Sequence, residues 1–293
     1  MEHEHCHHEI SEKTVNYLLI SFVINMLLTV AEIIGGIVAG SISLIGDALH
    51  NMSDALSILI AVAAFKIGRR KACGRYTYGF RRAEIVGGFV NLILLFASGV
   101  YLIVESGLRL LEPKAIDGEI IIWVSVLALI IDAATAHLSH HGAKHNTNMR
   151  MVFVHNLADA MGSVGVIVSG LCVMYLGIYA VDGIVALMIG FYMIYQAVVA
   201  FPQTVSILMN AAPEEMDLDK IIRDLEGLEG VESVHHLHVW SISEDVLSAE
   251  CHIVTENIEI ANLAAKLLEE KYKIGHCNIQ IEKDKSPCCD CKL

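Results

Sequence analysis

The sequence predicts an α-helical membrane protein in which six transmembrane helices precede a small cytoplasmic α+β domain. Of its 293 residues, 55% are hydrophobic and only 18% are charged, which is too apolar for an ordinary soluble protein. Six apolar segments are each long enough to cross a hydrocarbon core of about 30 Å as a helix. After Pro213 the long apolar runs give way to short alternating segments typical of a soluble domain.

The six apolar segments follow one another with short connections. Their predicted bounds are residues 15–39, 42–66, 83–108, 119–139, 150–176 and 180–201. Lys and Arg are concentrated in the connections at 66–82 and 140–150, whereas the turns near Gly40 and Gly177 carry none. By the positive-inside rule, we expect the two basic connections and both termini in the cytoplasm.

The segment after Pro213 reads as a soluble domain with the element order αββαβ. Two stretches have the periodicity of amphipathic helices and three alternate like strands. In chain order these stretches are 216–228, 231–243, 245–255, 258–273 and 276–283. The order is comparable to split βαβ units of the ferredoxin-like kind. The predicted parts of the chain are an N-terminal tail, a membrane domain, a cytoplasmic domain and a Cys-rich tail, at 1–14, 15–205, 206–284 and 285–293.

Charge and cysteine content narrow the choice of partners. The formal net charge of −13 is concentrated after Pro213, which argues against a nucleic-acid partner and suits a protein that binds cations. The eight cysteines form no disulfide-like framework, so thiolate metal ligands in a reducing cytosol are the better interpretation. The first residues, MEHEHCHHE, lack the basic start and apolar stretch of a signal peptide, and we expect them to be retained.

Two of the apolar segments carry the same polar motif, His-Asn-x-x-Asp. It occurs from His50 to Asp54 in the second segment and from His155 to Asp159 in the fifth. A spacing of four places the His and Asp of each pair on one face of a helix. Because ionisable side chains at membrane depth are costly and mark binding sites or ion pathways, we expect the four side chains to converge. The alternative is that each pair only satisfies buried polar groups within its own helix.

Two imidazoles and two carboxylates form a ligand set suited to tetrahedral Zn²⁺, because harder cations need more oxygen ligands and Cu(I) prefers sulfur. Metal binding requires neutral imidazoles and ionised carboxylates, so protons compete with Zn²⁺ for the same groups. If the site opens alternately to each side, this competition predicts Zn²⁺/H⁺ antiport. Asn51 and Asn156 are expected to pack or to support the ligands. Asp47 is a candidate for the access path, for support of the ligands, or for a hydrogen bond between helices.

The stretches GDALHNMSDALS, GRYTYGFRRAEIVGGFVN and VHNLADAMGSVGVIVSG resemble the cation diffusion facilitator family of zinc transporters, and the resemblance covers nearly the whole chain. It implies a homodimer that exports Zn²⁺ from the cytosol, or into vesicles, in exchange for protons. The transport site implied by the resemblance consists of His50, Asp54, His155 and Asp159. In this family an Asp in place of the first His is associated with broader metal acceptance, so His50 favours zinc over manganese or iron. Transport of Cd²⁺ or Co²⁺ stays open.

A second group of metal ligands is expected on the cytoplasmic side. The sequence resembles vesicular zinc transporters in which an N-terminal His-Cys-His reaches the tail cysteines of the neighbouring subunit. This resemblance implies ligands at His5, Cys6, His7, Cys288 and Cys291. The alternative is a loose His-rich scavenger beside free thiols.

Within the αββαβ domain, the resemblance implies zinc ligands at the dimer interface. The matching positions are His235, His252, His276 and Glu282. Strand alternation predicts that His236 and His238 cannot both share a face with His235. Zinc bound there would favour one arrangement of the dimer and so bias the membrane half. The alternative is that these histidines are solvated and bind nothing.

Other polar residues in or near the spans give less specific indications of function. The connection after the fourth segment has four histidines that either feed zinc to the pore or have no role: His137, His140, His141 and His145. We expect Asp132 to face the interior of the helix bundle, Glu32 to support packing and Asp182 to lie at the outer surface.

Two other classes of protein compete with a transporter. An intramembrane zinc metalloenzyme needs an open coordination position and a general base, yet the sequence has no HExxH and no spare Glu beside the four candidate ligands. A membrane-anchored zinc sensor would leave the intramembrane pairs without a role. We therefore predict a transporter and not an enzyme, in a prokaryotic inner membrane. Its expected partners are metal ions, protons, the lipid bilayer and a second copy of the chain.

Overall fold

The computed structural model describes residues 12–68, 73–143, 147–243 and 246–283. It begins with six long helices: α1 (Glu12–Ala39), α2 (Ile42–Gly68), α3 (Ala83–Leu111), α4 (Gly118–Ala143), α5 (Thr147–Leu176) and α6 (Ala180–Leu208). It continues with α7 (Leu218–Glu226), β1 (Ser233–Ser243), β2 (Val246–Val254), α8 (Ile260–Tyr272) and β3 (His276–Glu282). The predicted order, six long helices and then αββαβ, is confirmed. The chain forms two compact units, Met1–Ala63 with Val90–Ala200 and Ala64–Phe89 with Phe201–Leu293.

The six long helices correspond to the six predicted spans. Within the described residues, five of them are long and apolar enough to cross a membrane. The helix outside that set is α2, whose middle is made more polar by Asp47, His50 and Asp54. Large apolar side chains such as Leu27 and Trp123 point outward and are 66% and 67% exposed, as expected of helices that face lipid.

Glycine lets two pairs of helices in the first unit approach closely. A Cβ atom on Gly118 of α4 would lie 2.6 Å from the carbonyl oxygen of Gly170 on α5. A Cβ atom on Gly99 of α3 would lie 2.9 Å from the carbonyl oxygen of Gly190 on α6. Because both oxygens belong to the backbone and cannot rotate away, these crossings require a residue without a side chain, as is common between transmembrane helices.

Asp182, in the first turn of α6, accepts hydrogen bonds from residues at the start of α2. Its carboxylate accepts hydrogen bonds from the hydroxyls of Ser41 at 2.6 Å and Ser43 at 2.5 Å. It also accepts from the backbone N–H groups of Ile42 at 2.8 Å and Ser43 at 3.3 Å. Such N–H groups lack partners within the helix, and their partial positive charge favours an anion. The expectation that Asp182 lies at the outer surface is corrected, because it is buried among these donors.

The second part of the chain folds as a three-stranded sheet with α7 and α8 packed on one face. β1 pairs antiparallel with β2, and β2 pairs parallel with β3, in the order β1-β2-β3. The two strands joined by α8 are therefore direct neighbours, so no strand splits this βαβ unit. The helices cover the sheet with side chains three or four residues apart, which form one core: Ile221, Leu225, Ile260, Ala264 and Leu268.

A polar contact links α7 to α8. Asp224 accepts hydrogen bonds from the side chains of Lys271 and Tyr272. The bond from Lys271 and the bond from Tyr272 hold the pKa of the Asp224 carboxyl below its usual value. Burial, together with the hydrogen bond to Asp224, raises the pKa of Tyr272 to about 12. The contact therefore favours an ionised Asp224 and a neutral Tyr272.

The other face of the sheet is polar. Paired residues of neighbouring strands point to the same side. The register therefore places these residues on this face: His235, His238, Trp240, Glu250, His252, Gln280 and Glu282.

A β-bulge in β1 changes the predicted positions of its histidines. His235 pairs with His252 and His238 pairs with Glu250, so three steps along β1 match two steps along β2. His236 has a left-handed backbone conformation with φ of 55°. Its ring centroid lies 4.8 Å from that of His252 and 4.5 Å from that of His238. The prediction that His236 and His238 cannot both share a face with His235 is therefore wrong, because strict alternation does not hold across a bulge.

Candidate metal sites

The two His-Asn-x-x-Asp motifs face each other on α2 and α5. Nε2 of His50 lies 3.1 Å from Oδ1 of Asp159 and 3.6 Å from Oδ2 of Asp54. Nε2 of His155 lies 3.5 Å from Oδ2 of Asp54 and 3.5 Å from Oδ2 of Asp159. Each imidazole thus approaches one carboxylate on its own helix and one on the other helix. The structure brings all four residues together.

These separations match those between the ligands of one tetrahedral metal ion. With Zn–N and Zn–O bonds of about 2.0–2.1 Å, the ligand atoms of a regular tetrahedron stand about 3.3–3.4 Å apart. The four N···O separations lie on either side of this value. His50, Asp54 and Asp159 each offer one atom within 4.8 Å of the other two. His155 stands outside that mutual set, with its ring centroid 6.2 Å from that of His50, so it would have to move inward to bind the same ion.

The exposure of the four side chains differs across the site. Those of His50 and Asp159 are 7% and 11% exposed, whereas those of Asp54 and His155 are 23% and 40% exposed. The site is therefore most accessible beside His155. The ring of Tyr192 on α6 lies 5.8 Å from that of His50, in an edge-on arrangement. The sequence held no signal for Tyr192, because tyrosines occur in apolar helices at many kinds of position and α6 has two.

A buried polar network involves the same helices. Asn51 donates to both carboxylate oxygens of Glu32 on α1, at 2.9 and 3.1 Å. The hydroxyl of Ser163 on α5 lies 3.4 Å from Oδ2 of Asp47 and 3.1 Å from Oδ2 of Asp132 on α4. Asp47 therefore joins α2 to α5, which supports the helix-to-helix hydrogen bond among the roles predicted for it. Glu32 and Asp132 are both buried inside the first unit.

A second cluster of metal-ligating groups lies on the polar face of the sheet. Glu282 contacts two histidines: Oε2 is 3.3 Å from Nε2 of His235, and Oε1 is 2.9 Å from Nδ1 of His252. Both ring nitrogens of His235, Nδ1 of His252 and Oε2 of Glu282 are buried and form no hydrogen bond within the described residues. Buried polar atoms normally have partners. Close approach without hydrogen bonding is what ligands of one shared ion show, so these three residues fit a metal site.

Within one chain, His276 lies apart from this cluster. It begins β3, six residues before Glu282, which is about 20 Å along an extended strand. Its ring centroid instead lies 5.4 Å from that of Tyr78. His276 and Glu282 of one chain therefore cannot bind the same ion.

The remaining predicted ligands cannot be placed. The N- and C-terminal candidates lie outside the described residues: His5, Cys6, His7, Cys288 and Cys291. His145, in the connection after α4, lies outside them as well. Among the cysteines that are described, Cys251 is in the core of the second unit, where burial raises the pKa of its thiol to about 11. A thiol that stays protonated at neutral pH is a poor metal ligand.

Comparison with known proteins gives matches over most of the chain. Residues 18–209 match the cation efflux transmembrane domain, and residues 213–284 match the cytoplasmic domain of cation efflux proteins. A cadmium, cobalt and zinc/H(+)-K(+) antiporter of Bacillus subtilis is 31% identical over 288 residues, which cover 96% of this chain and 92% of that protein. The metal cation efflux system protein CzcD of Cupriavidus metallidurans is 29% identical over 98% of this chain and 90% of its own length. The zinc transporter ZitB of Escherichia coli is 28% identical, with 100% of this chain and 96% of that protein covered.

The first match includes α2, so this helix belongs to the transmembrane domain despite its polar middle. The second match covers α7 to β3, the elements that form the sheet and its two helices. Both matches agree with the family that the paired motifs resemble. The chain belongs to the cation efflux family of membrane transporters, also called the cation diffusion facilitators.

Proposed function

We propose that the protein exports Zn²⁺ from the cytosol in exchange for protons, with alternating access to a site formed by the transport quartet of His50, Asp54, His155 and Asp159. The observation that carries this proposal is the set of N···O separations, 3.1 to 3.6 Å, which match the edges of a tetrahedral zinc site. The relatives named as a zinc transporter and as a cadmium, cobalt and zinc antiporter support zinc as the cargo, with Cd²⁺ or Co²⁺ as further cargo.

Protons replace the metal ion at this quartet. Zn²⁺ binds neutral imidazoles and ionised carboxylates, so its arrival displaces protons from the side chains. When zinc leaves, a proton on Nε2 of His50 turns the 3.1 Å contact with Asp159 into a charge-assisted hydrogen bond. That bond stabilises the metal-free site inside the membrane, where an unpaired charge would be costly. Opening to one side at a time then exchanges zinc for protons.

The proposed setting is a homodimer in a prokaryotic inner membrane with both termini in the cytoplasm. The uneven distribution of Lys and Arg between the connections favours this orientation. The match of residues 213–284 to a cytoplasmic domain supports it. Bacterial relatives support the choice of membrane. The proposed division of the chain is 1–14, 15–205, 206–284 and 285–293.

We assign a zinc-sensing role to the cytoplasmic domain. A zinc ion held by His235, His252 and Glu282 adds binding free energy to the dimer arrangement that best completes its coordination. It therefore shifts the population toward that arrangement. The two tails are proposed to add a site between subunits, with these ligands: His5, Cys6, His7, Cys288 and Cys291.

The two alternative functions have less support. A catalytic zinc site keeps one position open for water, whereas four side chains surround the centre between α2 and α5. A sensor that uses its helices only as an anchor would gain nothing from burying that quartet. Transport, without enzymatic chemistry, is the function that the quartet supports.

Zinc flux tests the proposal directly. Purified protein is placed in liposomes that contain a zinc-sensitive dye, and Zn²⁺ uptake is followed after a pH gradient is imposed. We expect His50→Ala and Asp159→Ala to abolish uptake while each variant keeps the elution profile of folded protein. Glu112→Ala, at an exposed position after α3, is the matched control and should transport normally. Uptake by the two quartet variants at the unmodified rate would refute the site, and no uptake by the unmodified protein would favour a sensor.

A further inference from the structure

We propose that the bulge of β1 forms a second zinc-binding site on the cytoplasmic domain, the bulge site, consisting of His236, Glu250 and His252 with His238 beside them. His236, Glu250 and His252 each offer one ligand atom, and the three atoms lie within 4.8 Å of one another. The ring centroid of His238 is 4.5 Å from that of His236, so a fourth ligand is close. Two imidazoles, one carboxylate and this fourth side chain form a donor set that suits Zn²⁺.

The backbone at His236 explains how this side chain reaches the site. By strict alternation His236 would point to the core face of the sheet, opposite to His235. The bulge instead brings its ring to 4.8 Å from that of His252 on the polar face. The φ of 55° that accompanies the bulge is sterically unfavourable for a residue with a Cβ, and glycine and asparagine are the residues that adopt it most readily. Strain of this kind is retained where surrounding contacts require it, often at ligand sites.

His252 belongs both to the bulge site and to the inner site, which we define as His235, His252 and Glu282. Its Nδ1 lies 2.9 Å from Oε1 of Glu282, and one of its ring nitrogens lies within 4.8 Å of the ligand atoms of His236 and Glu250. A neutral imidazole has a single lone pair for a metal, so His252 binds one ion at a time. The two sites are therefore alternative positions for one ion, joined by a shared ligand.

The solvent exposure of the side chains indicates which of the two sites an incoming ion reaches first. His238 is exposed, whereas the side chains of His235 and Glu282, the two ligands that only the inner site uses, are 21% and 12% exposed. An ion from the cytosol therefore meets the bulge site first and passes through His252 to the inner site. This assignment does not depend on transport through the membrane domain.

The experiment uses the full-length protein in detergent with the transport quartet removed by His50→Ala and Asp159→Ala. The result is then independent of whether that quartet binds zinc. In this background, His235→Ala with Glu282→Gln removes the two ligands that only the inner site uses. Zinc per chain is measured by elemental analysis after dialysis against a fixed free concentration, and affinity is measured by competition with a chelating dye.

The comparison adds His236→Gly and Glu250→Gln to the variant that lacks the inner site. We expect this addition to remove about one zinc ion per chain. Glycine adopts the left-handed conformation without strain, so the loss would report the missing imidazole and not a straightened strand. The matched control adds Glu229→Gln and Glu256→Gln, two exposed positions outside both sites, and should keep the ion. Equal zinc content with and without the His236 and Glu250 changes would overturn the proposal.

Discussion

Replacing Asp182 by Asn should destabilise the membrane domain, because the Asp182 carboxylate links the first turn of α6 to the first turn of α2. Asn keeps the size of the side chain but exchanges one carboxylate oxygen for an NH₂ group. If its remaining oxygen stays with Ser41 and Ser43, the NH₂ group faces the N–H of Ile42, which lies 2.8 Å from the carboxylate. The NH₂ group and the N–H of Ile42 are both donors, so the hydrogen bond that the carboxylate oxygen accepts from Ile42 is lost.

The expected loss follows from the contacts that disappear. One hydrogen bond to a charged group is worth about 1.5–3 kcal/mol. The attraction between a negative charge and a helix N-terminus adds about 0.3–1 kcal/mol. The Asp182→Asn variant should therefore lose about 2–4 kcal/mol of unfolding free energy. Because α2 carries His50 and Asp54, a loosened start of this helix should also weaken zinc binding at the quartet.

Equilibrium unfolding in mixed detergent, followed by circular dichroism, measures the change. Asp117→Asn is the matched control: Asp117 caps α4 by accepting from the N–H groups of Glu119 and Ile120, at 3.0 and 3.3 Å. Since Asn caps a helix as well as Asp does, this control should stay within about 0.5 kcal/mol of the unmodified protein. If Asp182→Asn also changes the unfolding free energy by less than about 0.5 kcal/mol, an amide replaces the buried carboxylate without loss, and the predicted destabilisation is wrong.

Two further substitutions test the packing of α3 and the contact between α7 and α8. Gly99→Ala should cost about 1–3 kcal/mol, because its Cβ would lie 2.9 Å from the carbonyl oxygen of Gly190. Thermal unfolding measures this loss, and Gly107→Ala on the same helix, with nothing within 4 Å of its Cβ, should show none. For Tyr272 the folded pKa of about 12 exceeds the usual value of about 10, so stability is lost as pH rises through this window. Tyr272→Phe should reduce that alkaline loss, and an unchanged pH profile in urea unfolding would contradict the assignment.

In the αββαβ domain, the sequence predicts the helices and strands but not the register between the strands. Its five elements follow from alternating and helical periodicity, and all five are present in the predicted order. The bulge at His236 has no such signal, because an extra residue in one strand becomes visible only against the register of its partner. The bulge therefore places His236 and His238 on the same face as His235, which strict alternation does not predict. The role of His276 as a zinc ligand at the dimer interface stays a prediction, because the six residues of β3 that separate it from Glu282 concern one chain only.

In the membrane domain too, the helices are predicted from local sequence, whereas the contacts between distant helices are not. Apolar length predicted the six helices, and a spacing of four placed each His and Asp on one helix face before any contact was known. The burial of Asp182 under the start of α2 and the approach of Tyr192 to His50 depend on helices far apart in the chain. The local sequence around Asp182 and Tyr192 gives no sign of these contacts.

The sequence by itself determined the long helices, the order of elements in the soluble domain and the imidazole and carboxylate groups of the paired motifs, because each depends on residues within a few positions of one another. Only the tertiary structure decided that the motifs on α2 and α5 meet at 3.1 to 3.6 Å, that Asp182 caps a distant helix, and that the bulge gathers histidines on one face. Those contacts arise from close packing between elements that are remote along the chain, where the position of each side chain depends on all its neighbours at once.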